Sequence, residues 1–315
     1  MVEVRTLSGD DVRRLLDLDS LVDALAGAFA ALTDGEVQAP PRVQLAAPDG
    51  LLLSMPAYRP GAPFGVKLVS VFEGNGALGL PTHIALVALF DEATGSPLAL
   101  MDGTSITAAR TGGAAALSCR LAARPESRTL AIVGGGVQAR SHLAAIPRVL
   151  PIEEVRVASA FPAELPALAS LDPRAVIAGS IEEAVRGADV VALCTSSAGA
   201  VIDPAWIAPG AHVTSVGYRP PLGELPRELA ARARLFVETR AAFQPPPVGC
   251  GELAGLDPAS GTELGEVVLG RRPGRTSPDE ITVYKAMGHA VEDLTAARLV
   301  YERALAEGTG GTVAL

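Results

Sequence analysis

The stretch "TLAIVGGGVQARSHL", residues 129–143, limits what this chain can fold into more than any other feature. An apolar run of strand type ends directly in the pattern G-x-G-x-x-A, at Gly134, Gly136 and Ala139, and a helical pattern follows from Val137. Glycine at the first position permits a tight turn, the second lets a pyrophosphate approach the backbone, and the small third residue keeps helix and strand close. The helix N-terminus then turns its free amides toward the anion. The strand before and the helix after make this short glycine pattern a dinucleotide-binding expectation.

Beyond residue 128 the alternation is strict. "TLAIVG", "EVRVAS", "AVIAG", "DVVALCT", "AHVTSVG" and "ARLFVET" read as strands, with helical stretches such as "PAELPALA" and "SIEEAVRGA" between them. Runs of Val, Ile, Leu and Ala without polar alternation indicate strands buried on both faces, as in a parallel sheet covered by helices. Residues 240–280, rich in Pro, Gly and charge, are expected to be loop-heavy.

The upstream texture differs. Ser8 with Asp11 resembles a capping box, and Leu21, Leu25, Phe29 and Leu32 recur at helical spacing until Gly35, so the N-terminus is expected to be helical. From about residue 38 to 100, "RVQLAA", "GLLLSMP", "GVKLVSVF" and "HIALVALFD" predict an antiparallel sheet. The small-residue run 103–123 predicts a closely packed helix, and Leu294, Ala297, Val300 and Tyr301 mark the apolar face of a last helix from about Gly288. The expected fold class is α/β. A Rossmann-type parallel sheet domain spans 121–292, and an α+β domain spans 1–120 with 293–315 returning to it.

A formal net charge of −9 with no basic run argues against nucleic-acid and anionic-membrane partners and favours small molecules. No run of about 18 apolar residues and no basic leader are present, and three scattered cysteines suggest neither a disulfide framework nor a zinc site. A reducing cytoplasm is the expected compartment.

The chain holds two lysines against 24 arginines, and one lysine, Lys67, interrupts the apolar run "GVKLVSVF". A lysine kept where arginine serves everywhere else suits a position needing a compact ammonium able to lose its proton. Arg42 in "PPRVQL" and Arg110 in "SITAARTGG" interrupt apolar or small-residue stretches in the same way. Buried unpaired charge is costly, so these three cations invite either an anionic ligand, such as a carboxylate in an arginine fork, or separate ion pairs with the protein's own acids. His83, His142, His212 and His289 share no metal-ligand spacing; the first three read as structural, and His289, beside Gly288, as a candidate neighbour of a cofactor ring.

A dinucleotide fold usually ends its second strand in Asp or Glu to hold the ribose hydroxyls. "VRVASAFP" offers Ala158, Ser159 and Ala160 instead, and Ser159 with Arg140 tilts the expectation toward NADP over NAD.

Taken together, "PPRVQL", "GVKLVSVF", "FDEATGSPLALMDGTSITAARTGG", "IVGGGVQAR" and "ITVYKAMGHAVEDLTAA" resemble the ornithine cyclodeaminase/mu-crystallin family along nearly the whole chain. The resemblance implies a homodimer whose N-terminal domain binds substrate and dimerises, followed by a nicotinamide-dinucleotide domain. It implies that Arg42, Lys67 and Arg110 hold the substrate's α-carboxylate, and that Asp293 lies near the cofactor ring. Lys285 also matches a family position, with no chemistry assigned. The expected cofactor-binding set is Gly134, Gly136, Val137, Gln138, Ala139, Ser159 and Thr195.

Two departures bear on the reaction. Arg219 in "SVGYRPPLGEL" stands at or near the aspartate that handles the side-chain amine in cyclodeaminases, and Leu53 in "LLLSMP" replaces a glutamate. Losing a buried charge pair costs about 3–5 kcal/mol, which disfavours ornithine unless Glu73 or Glu224 substitutes. The expected activity is NAD(P)-dependent reduction of a cyclic imino acid, such as pyrroline-2-carboxylate, or of a 2-oxo acid, with Lys67 and Asp293 as catalytic residues. The alternatives are ornithine cyclodeaminase and a non-catalytic NADPH-retaining protein of mu-crystallin type. Lys67 would either pass a proton to the imine nitrogen or only hold the carboxylate.

Overall fold

The computed structural model describes residues 2–315. In chain order the elements are β1 (Glu3–Leu7), α1 (Gly9–Leu15), α2 (Leu18–Thr33), β2 (Val43–Ala47), β3 (Gly50–Ala57), β4 (Phe64–Val71), β5 (His83–Phe90), β6 (Pro97–Asp102) and α3 (Gly103–Ala122). There follow β7 (Thr129–Val133), α4 (Val137–Ala145), β8 (Glu154–Ala158), α5 (Leu165–Ala169), β9 (Ala175–Ile177), α6 (Ile181–Val185), β10 (Val190–Leu193), β11 (His212–Ser215), α7 (Arg227–Arg232) and β12 (Arg234–Val237). The chain closes with β13 (Thr262–Glu263), α8 (Leu264–Val268), β14 (Thr282–Lys285), α9 (Ala290–Glu307) and β15 (Gly311–Ala314).

Two compact units result: one runs to Arg110 and resumes at His289–Leu315, and the other is Thr111–Gly288. The division falls inside α3 and just before α9, rather than at 120/121 and 292/293.

The first unit is built on a seven-stranded sheet, ordered β15-β1-β6-β5-β4-β3-β2. β2 to β5 pair antiparallel as the turn-linked runs predict, β6 joins them antiparallel to β5, and β1 lies parallel to β6 and antiparallel to β15. The expected all-helical N-terminus is thus corrected. Ser8 does cap α1 through a capping box with Asp11, but the residues before it form a strand whose Val4 and Leu7 are buried. Five residues with two inward side chains carry too little periodicity to distinguish strand from helix.

Side chains alternate along strands, and the register assigns one row, Met55, Lys67, Val87 and Met101, to the buried face of the sheet. Helix α9 crosses that face and packs on β3, β4, β5 and α2. Gly65 makes the crossing close: a Cβ there would lie 2.7 Å from Leu294 Cδ1. The opposite face carries Leu45, Leu52, Leu68, Leu86 and Leu100, between 36% and 64% exposed.

The second unit holds an eight-stranded, wholly parallel sheet, ordered β13-β12-β14-β11-β10-β7-β8-β9. Its central strands, including Leu130–Val133 and Val190–Leu193, are fully buried, which explains their unbroken apolar composition. "ITVYK", to which the sequence reading gave no strand, forms β14 between β11 and β12. Its four residues are all buried, including Lys285, so no alternation betrays it. The order reverses between β7 and β10, and that switch point is where doubly wound sheets take ligands, beyond the carboxyl ends of the strands.

Candidate active site

In the first unit the sequence-selected cations converge on the first turn of α9. Lys67, 3% exposed, puts its Nζ 2.7 Å from Asp293 Oδ2. From the eighth position of α3, Arg110 Nε donates to Asp293 Oδ1 at 3.0 Å and Nη1 donates to Glu292 Oε2 at 3.1 Å. Asp293 and Glu292 are buried, and both stand in the first turn of α9, where the helix dipole favours negative charge. The protein's own acids therefore pair with Lys67 and Arg110. They were not apparent from sequence because each lies about 180 to 230 residues from its cation along the chain.

Glu292 is a residue the sequence reading missed. Its Oε2 takes Arg110 while its Oε1 accepts from the His289 backbone N–H at 2.6 Å, completing a capping box. The S/T-x-x-E signature that announces such boxes was hidden because histidine occupies the cap. His289 Nδ1 accepts from Val291 N at 3.2 Å, so its ring caps α9. Burial lowers its pKa, which keeps the ring neutral and Nδ1 free to accept. Arg42, half-buried just ahead of β2, acts on the same end of α9, since its charge further lowers the His289 pKa.

The electrostatics of this cluster are uneven. Burial pushes the Lys67 ammonium down from 10.5 to about 8, helped by the Arg110 charge and opposed by Asp293. Burial pushes the Asp293 carboxyl up, but the Arg110 and Lys67 charges outweigh it and leave the acid below its ordinary value. Lys67 and Arg110 against Asp293 and Glu292 sum to no net charge. Two of the three ammonium protons remain for another acceptor, since Asp293 is the one ion-pair partner of Lys67 among the described residues. Leu53 lies on the same sheet face as Lys67, on the neighbouring strand.

In the second unit the glycine turn has the form its pattern predicts. Gly134 adopts φ +127°, and a Cβ there would come within 2.4 Å of the Cys194 carbonyl oxygen, across the switch point between β7 and β10. Gly136 is the N-cap of α4 and brings no side-chain cap, so the first amides of that helix, over Val137, Gln138 and Ala139, are left for a ligand. A Cβ on Gly136 would find nothing nearer than the exposed Glu164 side chain, 3.8 Å away at Oε2. An uncapped helix end and a left-handed glycine at the switch point fit a dinucleotide pyrophosphate.

Ser159 Oγ accepts from Phe161 N at 3.1 Å, which leaves its hydroxyl proton for a ligand. Thr195 is engaged differently: its N–H and its hydroxyl both donate to Glu224 Oε2, at 2.6 and 2.7 Å. The other Glu224 oxygen accepts from Ser215 Oγ, Val216 N and Gly217 N. Fully buried and bonded to five donors, Glu224 ties the end of β10 to the end of β11 and is not a spare acid for a substrate amine. Lys285 belongs to the same buried network, donating to Ser215 Oγ, the Gly217 carbonyl and Glu252. Glu73 and Arg219 are exposed. His142 and His212 are fully buried, and burial lowers their pKa values to about 4 and about 3. Among the described residues no group of His, Cys, Asp and Glu could hold a metal ion, and no helix is long and apolar enough to cross a membrane.

Comparison with known proteins gives one consistent result. The family model described as "Ornithine cyclodeaminase/mu-crystallin family" matches residues 3–308. The chain is 38% identical over 305 residues to the ketimine reductase mu-crystallin of Mus musculus, covering 94% of this chain and 96% of that protein. It superposes on the Thermococcus litoralis Δ1-pyrroline-2-carboxylate reductase, solved in complex with NADH and L-proline, with a TM-score of 0.91 at 32% identity, covering 98% of this chain and all of that one. An archaeal alanine dehydrogenase dimer with bound NAD gives a TM-score of 0.88 at 31% identity, covering 99% of each chain. With its glycine turn, its parallel sheet and its match over residues 3–308, the chain belongs to the ornithine cyclodeaminase/mu-crystallin family.

Proposed function

We propose that the protein is an NAD(P)-dependent oxidoreductase that reduces a C=N bond beside a carboxylate, taking a cyclic ketimine acid such as Δ1-pyrroline-2-carboxylate to the cyclic amino acid. The observation that carries this reading is Lys67: a 3%-exposed ammonium with one protein partner and a pKa near 8. A group so tuned holds its proton at neutral pH and releases it at modest cost. Solved relatives that bind NADH with proline, or NAD, support the redox assignment.

The chain's own residues divide the work. Lys67 donates a proton or strong hydrogen bond to the imine nitrogen, which makes the adjacent carbon a better acceptor. Asp293 aims Lys67 and restrains its loss of charge. Arg110, fixed by Asp293 and Glu292, and Arg42 orient the substrate carboxylate. The four central groups, Lys67, Arg110, Asp293 and Glu292, are neutral in sum, and Arg42 adds positive charge at the same end of α9. In the second unit the amides of α4 and Gly136 hold the pyrophosphate. The dinucleotide, when bound, supplies the hydride.

Cyclodeamination fits less well. Leu53 and Arg219 match, by the family resemblance, positions where cyclodeaminases carry acids for a second amine, and Glu224 is committed to five donors. The exposed leucine rows of the first unit's sheet are read as a self-association face giving a homodimer, in keeping with the dimeric archaeal relative. The three buried, unbridged cysteines suit the cytoplasmic setting we infer.

The test is a parallel assay of the purified protein. Substrate-dependent loss of reduced-nicotinamide absorbance with Δ1-pyrroline-2-carboxylate is expected. Ammonia release from ornithine without net cofactor change would overturn the reading, as would cofactor retention with neither reaction.

A further inference from the structure

The second strand of the parallel sheet, β8, ends without the acid that normally receives the adenosine ribose, yet the turn that follows it brings a carboxylate against the glycine turn. Glu164 closes the short turn Pro162–Glu164 that leads into α5. A Cβ built on Gly135 would lie 2.9 Å from the Glu164 Cβ and 3.3 Å from its Oε2, and one on Gly136 would lie 3.8 Å from the same oxygen. The carboxylate thus hangs over the glycine turn, six residues after Ala158, the last residue of β8.

We propose that Glu164 receives the adenosine ribose hydroxyls and thereby makes the protein prefer NAD to NADP; this rests on the dinucleotide-binding reading above. In folds of this kind the adenosine ribose lies between the glycine turn and the end of the second strand. Ribose hydroxyls donate to a carboxylate, whereas a 2′-phosphate brings up to two negative charges against it. Nothing in the loop offsets that repulsion: residues 159–164 are Ser, Ala, Phe, Pro, Ala and Glu, with no cation. The basic residue on β8 itself, Arg156, is committed to Glu154 and to the Arg186 carbonyl. The loop is held in shape by the Ser159 Oγ bond from Phe161 N. Glu164 is exposed, so its side chain has solvent rather than packed neighbours to turn into when the pyrophosphate that both dinucleotides share enters.

The experiment is a titration of dissociation constants for NADH and NADPH, by nucleotide fluorescence or calorimetry without substrate, on the parent and on Glu164→Gln. The parent is expected to bind NADH more tightly. Glu164→Gln is expected to weaken NADH and strengthen NADPH, moving their ratio by about tenfold or more, the worth of one charge-assisted hydrogen bond exchanged for a lost repulsion. A parent that prefers NADPH would overturn the assignment. So would a variant in which both affinities rise equally, since the carboxylate would then act only on the shared pyrophosphate. A parent that binds neither dinucleotide would defeat the dinucleotide reading itself, and the assignment with it.

Discussion

The sharpest perturbation is Asp293→Asn, which keeps the shape of the side chain and removes a charge 2.7 Å from Lys67 Nζ. On the proposed mechanism reduction needs the protonated lysine, so kcat/KM for the imine should be level below about pH 8 and fall above it. The slope is about tenfold per pH unit where a single proton donor is lost. Oxidation of the cyclic amino acid needs the free amine and should run oppositely, rising to a plateau above that value. An opposite charge this close supports the ionised form by about 1–3 pH units. Asp293→Asn should therefore move the break from about 8 to between about 5 and 7. At neutral pH the variant should reduce imine slowly, and acidification should partly restore it.

Stability provides an independent check on the same group. In the variant two buried cations face Glu292 alone, and the imbalance disappears when Lys67 gives up its proton. Between the lowered folded pKa and the unfolded value of 10.5, the unfolded chain binds a proton that the folded chain has released. Stability then climbs with pH across that window, over a wider range than in the parent, where it runs from about 8 to 10.5. Denaturant midpoints at a series of pH values measure this. If the kinetic break stays near 8 in Asp293→Asn, or moves upward, Lys67 is not the titrating donor and the reasoning fails.

Lys67→Arg keeps charge and Asp293 pairing but cannot release a proton, so substrate binding should persist while kcat drops about 100-fold or more; unchanged turnover would reduce Lys67 to a carboxylate holder. Arg110→Met leaves Glu292 and Asp293 with Lys67 alone and should cost about 3–5 kcal/mol by chemical denaturation. Glu224→Gln forces an amide NH₂ toward buried donors such as Thr195 N and Gly217 N, and should destabilise by about 1–3 kcal/mol, read as a lowered Tm. Leu45→Glu with Leu68→Glu should shift the solution mass to that of a monomer in light scattering, because both side chains belong to the exposed sheet face.

The parallel sheet was legible because its signals are local. Glycines at 134 and 136, a strand before them and a helix after them lie within fifteen residues, and each requirement is written in consecutive side chains. The antiparallel runs from β2 to β5 were legible for the same reason. β1, β6, β14 and β15 were not, since strands of four to six residues acquire their pairing from partners far along the chain, as β1 does from β6 and β15. At the site, Arg42, Lys67 and Arg110 were visible as charges out of place in apolar text. Glu292, an acid among others on an amphipathic helix, looked like a solvated surface residue until the fold turned its first helical turn inward.

The scarcity of lysine turns out to have two different causes, and comparing them clarifies what Lys67 does. Both lysines of the chain are buried, one in each unit. Lys285 gives its three N–H donors to Ser215, Gly217 and Glu252, so nothing is left for a ligand, and a rigid guanidinium could not serve three converging acceptors from the same space. Its role is to brace the loop that carries Gly217, where a Cβ would lie only 1.9 Å from the Thr195 carbonyl oxygen. Lys67 has one acid, which it shares with Arg110, and is left with donors to spare. An ammonium with donors to spare in a dry site can bond a basic atom that enters, whereas one with every donor taken cannot. On the proposed mechanism the imine nitrogen of a small carboxylate is such an atom, and Lys67, unlike Lys285, has donors left to meet it.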